Sequence, residues 1–155
     1  LLLMIKYFLI ICFILMKSAY AESYVKAGGS LIWDSKNQNY TASENVEFSN
    51  DKFIAYSEKM IAQYIEENNK EVFTKVELFD KVKIEFKDEI FLGDYAVYTR
   101  KDNIIKLVGN VTIQSPTRVL SGHELIADID NNKRILNSAN DESLVEALLD
   151  NNANN

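Results

Sequence analysis

Three stretches of the chain superimpose on one another without a gap. With Val46, Val82 and Val111 in register, the tripeptides "ENV", "DKV" and "GNV" align and Phe48, Ile84 and Ile113 follow two residues on. "SEKMIA", "GDYAVY" and "GHELIA" then begin at Ser57, Gly93 and Gly122. Successive copies are offset by 36 and 29 residues, the difference falling in the charged loop "EENNKE" at 66–71. Self-similarity of this kind means one supersecondary unit stacked on its neighbours, because a single unit cannot bury its apolar face alone.

Each unit extends backwards with a period of two. Ile105, Leu107, Gly109, Val111 and Ile113 share one parity, as do Val76, Leu78, Asp80, Val82, Ile84 and Phe86; Tyr40, Ala42, Glu44, Val46 and Phe48 form a weaker first copy. The alternate positions are mostly polar, for example Lys83, Glu85, Lys87, Lys106, Thr112 and Gln114. Such alternation predicts strands with one buried and one wet face, and helical spacing fits none of these stretches.

Glu44, Asp80 and Gly109 mark the place where the first arm of each strand hands over to the second, and a glycine there suits a bulge or corner. Gly93 and Gly122 are expected to start the return strands after a loop, and Asp102-Asn103 and Asn131-Asn132 to turn one unit into the next. The expected fold is all-β, with about eight to twelve antiparallel strands stacked as successive hairpins. Gly28-Gly29 reads as part of a flexible lead-in over residues 22–30, and the β domain as residues 31–137. Residues 138–155 read as a short helix, with Asn140-Asp141 as its cap and Leu144, Val145 and Leu148 on one face, followed by a disordered "NNANN". Such a helix could cover an open end of the stack and limit its growth.

The first 21 residues are expected to be a signal peptide. Lys6 precedes ten apolar residues, "YFLIICFILM", and Ala19 and Ala21 supply the small residues of a cleavage site after Ala21. Ten residues of helix span about 15 Å, short of a bilayer core of about 30 Å. A retained anchor is the alternative, kept open by Lys17 between the apolar run and the cleavage site. The one cysteine, Cys12, falls in this run, so the exported part must hold together by packing rather than disulfides.

Composition narrows the functions. The net charge of −6 and the lack of a basic cluster argue against a nucleic-acid partner. Beyond Cys12 there is no thiol, and the single histidine, His123, occupies the polar corner held by Glu58 and Asp94 in the other copies, where a solvated side chain is expected. Neither a nucleophile–base pair nor a metal-ligand cluster is discernible, and no glycine-rich phosphate loop occurs, so neither an enzyme nor a cofactor is expected.

What remains is a large apolar strand face for so small a chain. Two readings stay open. In a closed sandwich that face is simply core; in a stack of hairpins curled into an open-edged roll it lines a continuous trough, able to bury an acyl chain at about 0.8 kcal/mol per methylene.

The units "GNVTIQ…VLSGHELIADIDNNKRI" and "DKVKIEF…IFLGDYAVYTRKDN", with the opening "LIWDSKNQNYTASENVEF", resemble the repeats of the OstA-like family, to which the periplasmic bridge component of lipopolysaccharide transport belongs. The resemblance covers residues 31–137. His123 stands where the family's return strand has Asp, and Ser57-Glu58 replaces Gly-Asp in the first copy. The resemblance implies a twisted, open β-jelly roll in the periplasm that holds the acyl chains of lipid A and joins end to end. Its partners would be copies of itself, an inner-membrane exporter complex and outer-membrane assembly proteins. Lipid-lining residues would then be Val46 and Phe48 in the first copy, Val76, Leu78, Val82, Ile84 and Phe86 in the second, Ile105, Leu107, Val111 and Ile113 in the third, and Leu120 and Leu125 on the last return strand. The rival readings are a membrane-anchored partner of the same pathway and a structural β-repeat protein that binds no lipid.

Overall fold

The computed structural model describes residues 23–150. The expected signal peptide, the expected cleavage site after Ala21 and the terminal "NNANN" lie outside the described residues. Ten strands and no helix occur among those described: β1 (Tyr24–Lys26), β2 (Ser30–Asp34), β3 (Asn39–Ser49), β4 (Ile54–Glu67), β5 (Lys70–Phe86), β6 (Glu89–Thr99), β7 (Ile104–Ser115), β8 (Arg118–Asp128), β9 (Lys133–Asn137) and β10 (Glu146–Leu149). β3 to β8 form an antiparallel meander.

A line of bulges crosses this meander at the corners expected from the repeat. Glu44-Asn45, Asp80-Lys81 and Gly109-Asn110 all have positive φ, at 66° and 48°, 64° and 52°, and 84° and 48°. Each pair opposes a single residue of the following strand, Glu58, Asp94 or His123, which is the two-against-one count of a β-bulge. Asn, Asp and Gly tolerate the left-handed region well, so the corner chemistry is written locally.

The bulges divide the sheet into two leaves. The first leaf holds 39–43, 59–67, 70–79, 95–99, 104–108 and 124–128, edged by β2 on β3 and by β9 on β8. The second holds 46–49, 54–57, 82–86, 89–93, 111–115 and 118–122, edged by β1 on β3 and β10 on β8. Their inward faces meet in one buried cluster that includes Phe48, Met60, Leu78, Ile84, Phe91, Ile105, Leu107 and Leu125. The result is an open jelly roll whose two edges are not closed on each other.

Four expectations are corrected. Gly93 and Gly122 do not start the return strands. β6 begins at Glu89 and β8 at Arg118, after tight turns at Lys87-Asp88 and Pro116-Thr117, and the glycines sit mid-strand beside the bulge line. They are glycines because a Cβ would lie 2.9 Å from Leu107 Cδ2 at Gly93 and 2.7 Å from Leu136 Cγ at Gly122. The stretch 66–71 is not a loop: Asn68-Asn69 alone turn the hairpin, at φ 51° and 60°, and the extra residues of that copy lengthen the arms of β4 and β5.

The lead-in over 22–30 is not loose either. Tyr24–Lys26 pairs with Glu47–Ser49, and Gly28 N–H and Gly29 N–H donate to the carbonyls of Glu44 and Ser43 at 2.6 and 3.0 Å. Finally, 138–155 contains a strand where a helix was expected. Asn140 Oδ1 does accept the N–H groups of Glu142 and Ser143 at 2.9 and 3.0 Å, as a cap would, but Glu146–Leu149 then pairs with Arg118–Ser121. A single helical turn is marginal in water, whereas the free edge of β8 offers the chain a ladder to complete.

The interleaf cleft

Alternation along β3 turns Tyr40, Ala42, Val46 and Phe48 inward, and the pairing Trp33↔Tyr40↔Ala62 places the Trp33 side chain at the inner edge of β2. At the N-terminal end of the roll the leaves do not meet fully, leaving a cleft of about 990 Å³. Its floor is aromatic. Tyr40 stands 5.4 Å from Tyr64 and 5.9 Å from Phe73, Phe73 is 5.6 Å from Phe48, Phe48 is 5.8 Å from Phe53, and Phe53 is 5.0 Å from Tyr98. The Phe48–Phe73 and Phe53–Tyr98 contacts bridge the two leaves. Trp33 Nε1 donates to Tyr64 OH at 2.8 Å, tying the edge strand β2 to β4 beside the cleft.

The rim is charged and nearly balanced. Lys52, Lys70, Arg100, Asp51, Glu71 and Asp130 all border the cleft. Lys52 Nζ lies 3.9 Å from Asp130, and Arg100 Nη1 lies 3.6 Å from Glu67. Tyr40 OH donates to Glu71 Oε2 at 2.7 Å, and burial first, then that carboxylate, push the phenol up to about 12. Burial likewise raises Tyr98, with Asp51 adding to the effect. The arrangement is an apolar slot with a polar lip, suited to an amphiphile rather than to bond-making chemistry. Among the described residues no cluster of ligating side chains could hold a metal, and His123 is exposed.

Twelve of the thirteen lipid-lining candidates (Val46, Phe48, Val76, Leu78, Val82, Ile84, Phe86, Ile105, Leu107, Val111, Ile113 and Leu125) are at most 3% exposed, and Leu120 is partly buried against them. All face the interior between the leaves, but only Phe48 borders the open cleft. The repeat reading missed Met60, Tyr64, Ala96 and Tyr98 on the inward face of the return strands, and Leu31 and Phe73 at the mouth. A signal existed. On β4, β6 and β8 the inward face steps by three rather than two across the bulge line, from Ser57 to Met60, Gly93 to Ala96 and Gly122 to Leu125.

Apolar side chains also gather at the free edges. Leu31, Ile32 and Trp33 on β2 are 50%, 57% and 59% exposed, and Ile135, Leu144, Leu148 and Leu149 are exposed at the opposite end.

Residues 26–133 match the family described as LptA/(LptD N-terminal domain) LPS transport protein. The crystal structure of LptH, the LptA-homologous periplasmic component of the lipopolysaccharide transport device of Pseudomonas aeruginosa, superposes with a TM-score of 0.71. It shares 12% identity over 83% of this chain and 95% of that one, so the likeness speaks to the fold. No curated protein matches the chain in sequence.

Proposed function

Because the chain belongs to the LptA and LptD N-terminal domain family of lipopolysaccharide transport proteins, we propose that it takes the acyl chains of lipopolysaccharide between its two leaves in the periplasm. It is a transport protein, not an enzyme. The observation that carries the acyl reading is the continuity of the aromatic cleft with the apolar interior, from Phe48 at the mouth to Ile84, Val111 and Ile113 within. Burying ten methylenes there rather than in water is worth about 8 kcal/mol, which keeps a lipid tail out of the aqueous phase. In the closed interior the cargo must displace side chain from side chain, so the leaves part as the lipid comes in. The polar lip keeps the headgroup in water.

The free edges support joining to other copies and to membrane-bound members of the same pathway by strand addition. Pairing β9 of one copy with β2 of the next is a heterologous contact, which builds open filaments and aligns successive interiors. The exported chain would begin at Glu22, with energy for transport supplied by the inner-membrane exporter.

Photo-crosslinkers at Ile84, Val111 and Ile113 in cells test the acyl path. These positions are expected to capture lipopolysaccharide, and Lys83 and Thr112, on the opposite face of the same strands, are not. Equal labelling of both parities would overturn the assignment.

A further inference from the structure

Arg134 belongs to β9, at the outer edge of the first leaf, yet its guanidinium also reaches the second. Nε and Nη2 donate to Glu89 Oε2 at 3.1 and 2.7 Å. Nη2 also reaches Asn132 Oδ1 at 3.4 Å, and Nη1 donates to the carbonyls of Asp128 and Lys133 at 3.2 and 3.1 Å. Its Cζ stands 5.2 Å from the Phe86 ring centre and 5.3 Å from that of Phe91. The two charged side chains are only 11% and 23% exposed. Phe86 ends β5, and Glu89 and Phe91 open β6, so all three partners sit at one hairpin tip of the second leaf, with no strand ladder joining that tip to β9.

From this geometry we infer that Arg134 is a clasp that holds the two leaves shut towards the C-terminal end and limits how far the interior opens; the inference rests on the reading that acyl chains enter between the leaves. Apolar contacts across the interior can be exchanged for contacts with a lipid tail, one hydrocarbon surface for another. The Arg134–Glu89 pair cannot be exchanged in that way, because an acyl chain offers neither charge a partner. At the mouth the comparable tie, Lys52–Asp130, is long at 3.9 Å and made by more exposed side chains, which matches the end of the roll that stands open. A guanidinium suits the role, since its cation sits over the two rings while its edge donors are all engaged.

The test places nitroxide labels on the two leaves, at Asp88→Cys and Ile135→Cys, in the full chain carrying Cys12→Ser and purified from the periplasm. Double electron–electron resonance reads the interleaf distance without ligand, and binding of dansyl-undecanoic acid reads access to the interior. Arg134→Met and Glu89→Gln are each expected to lengthen and broaden the distance and to increase probe uptake several-fold, with Arg134→Lys in between. A distance unchanged in Arg134→Met and Glu89→Gln, with native circular dichroism, overturns the clasp. A lengthened distance with unchanged uptake, where the wild type does bind the probe, overturns its control of access. A lengthened distance with no probe bound by any chain leaves the clasp standing and overturns the acyl reading instead. If Arg134→Met does not fold, Glu89→Gln and Arg134→Lys decide the matter.

Discussion

Asp94 occupies the space that a side chain on Gly109 would need. A Cβ on Gly109 would lie 2.5 Å from Asp94 Oδ2, and that same oxygen accepts Asn110 Nδ2 at 2.7 Å. The third bulge is thereby locked to the lone residue of the preceding strand, much as Lys81 Nζ of the second bulge holds Glu58 of the strand before it at 2.9 Å.

Gly109→Ala is therefore expected to destabilise the fold by about 1–3 kcal/mol, combining a left-handed backbone at φ 84° with the clash. Asn110→Ala, which removes the side-chain bond and puts an alanine in the left-handed region at φ 48°, is expected to cost about 1–2 kcal/mol. Urea unfolding of the two variants decides it; a Gly109→Ala midpoint equal to the wild type would show that the bulge does not constrain the strand.

Alkaline titration probes the tyrosine–glutamate pairs. Burial, followed by Glu71 for Tyr40 and Glu77 for Tyr95, raises both phenols from about 10 to about 12. The native state thus favours their neutral forms. That stabilisation is complete below pH 10 and is lost as the pH rises from 10 through 12. Absorbance at 295 nm is expected to show a late-titrating phase that includes Tyr40 and Tyr95, and the thermal midpoint to drop between pH 10 and 12, less so in Tyr95→Phe. At the acid end the sign reverses for Glu77. The Tyr95 hydroxyl, then Lys75, hold its carboxyl below the ordinary value of 4.5, so its contribution is present above that pH and lost as the pH falls through the lowered value.

Proline scanning of β2 tests the joining of copies. Neighbouring residues of a strand point their N–H groups to opposite sides, so of Ile32→Pro and Trp33→Pro one removes a donor to β3 and the other a donor facing outward. The outward variant is expected to fold normally and to assemble less in analytical ultracentrifugation across a concentration series. A wild type that stays monomeric throughout, or two folded proline variants that assemble as well as it does, would exclude β2 as the joining edge.

Deleting residues 141–155 removes β10. Its four residues are all exposed, so stability is expected to fall by no more than about 1 kcal/mol. The deletion also frees the edge of β8 at Arg118–Ser121, so light scattering is expected to report larger assemblies. Unchanged size would mean that β10 does not guard that edge.

The corners at 44–45, 80–81 and 109–110 are legible in the sequence because a left-handed backbone favours particular residue types, and Asn45, Asp80, Gly109 and Asn110 supply them at repeat-equivalent places. The inward parity of β3, β5 and β7 was legible for a related reason: a strand writes its two faces in alternate letters. Gly93 and Gly122 were harder to place. Nothing local distinguishes a glycine that opens a strand from one that makes room for Leu107 or Leu136, because the neighbour that demands the room comes from another strand.

The sequence by itself determined that the chain is a stack of β hairpins, where each strand bends, and which side chains of the outgoing strands turn inward, since all of these follow from dihedral preference and from a period of two. Only the tertiary structure decided that Leu148 and Leu149 belong to a strand rather than a helix, because a free edge of β8 was there to receive them. It alone brought Arg134 to Glu89, 45 residues away, and gathered Leu31, Tyr40, Phe48, Phe73 and Tyr98 at one mouth. Those contacts depend on how far the sheet folds along its bulges, and that is set by the summed packing of both leaves, a quantity no single stretch of residues carries.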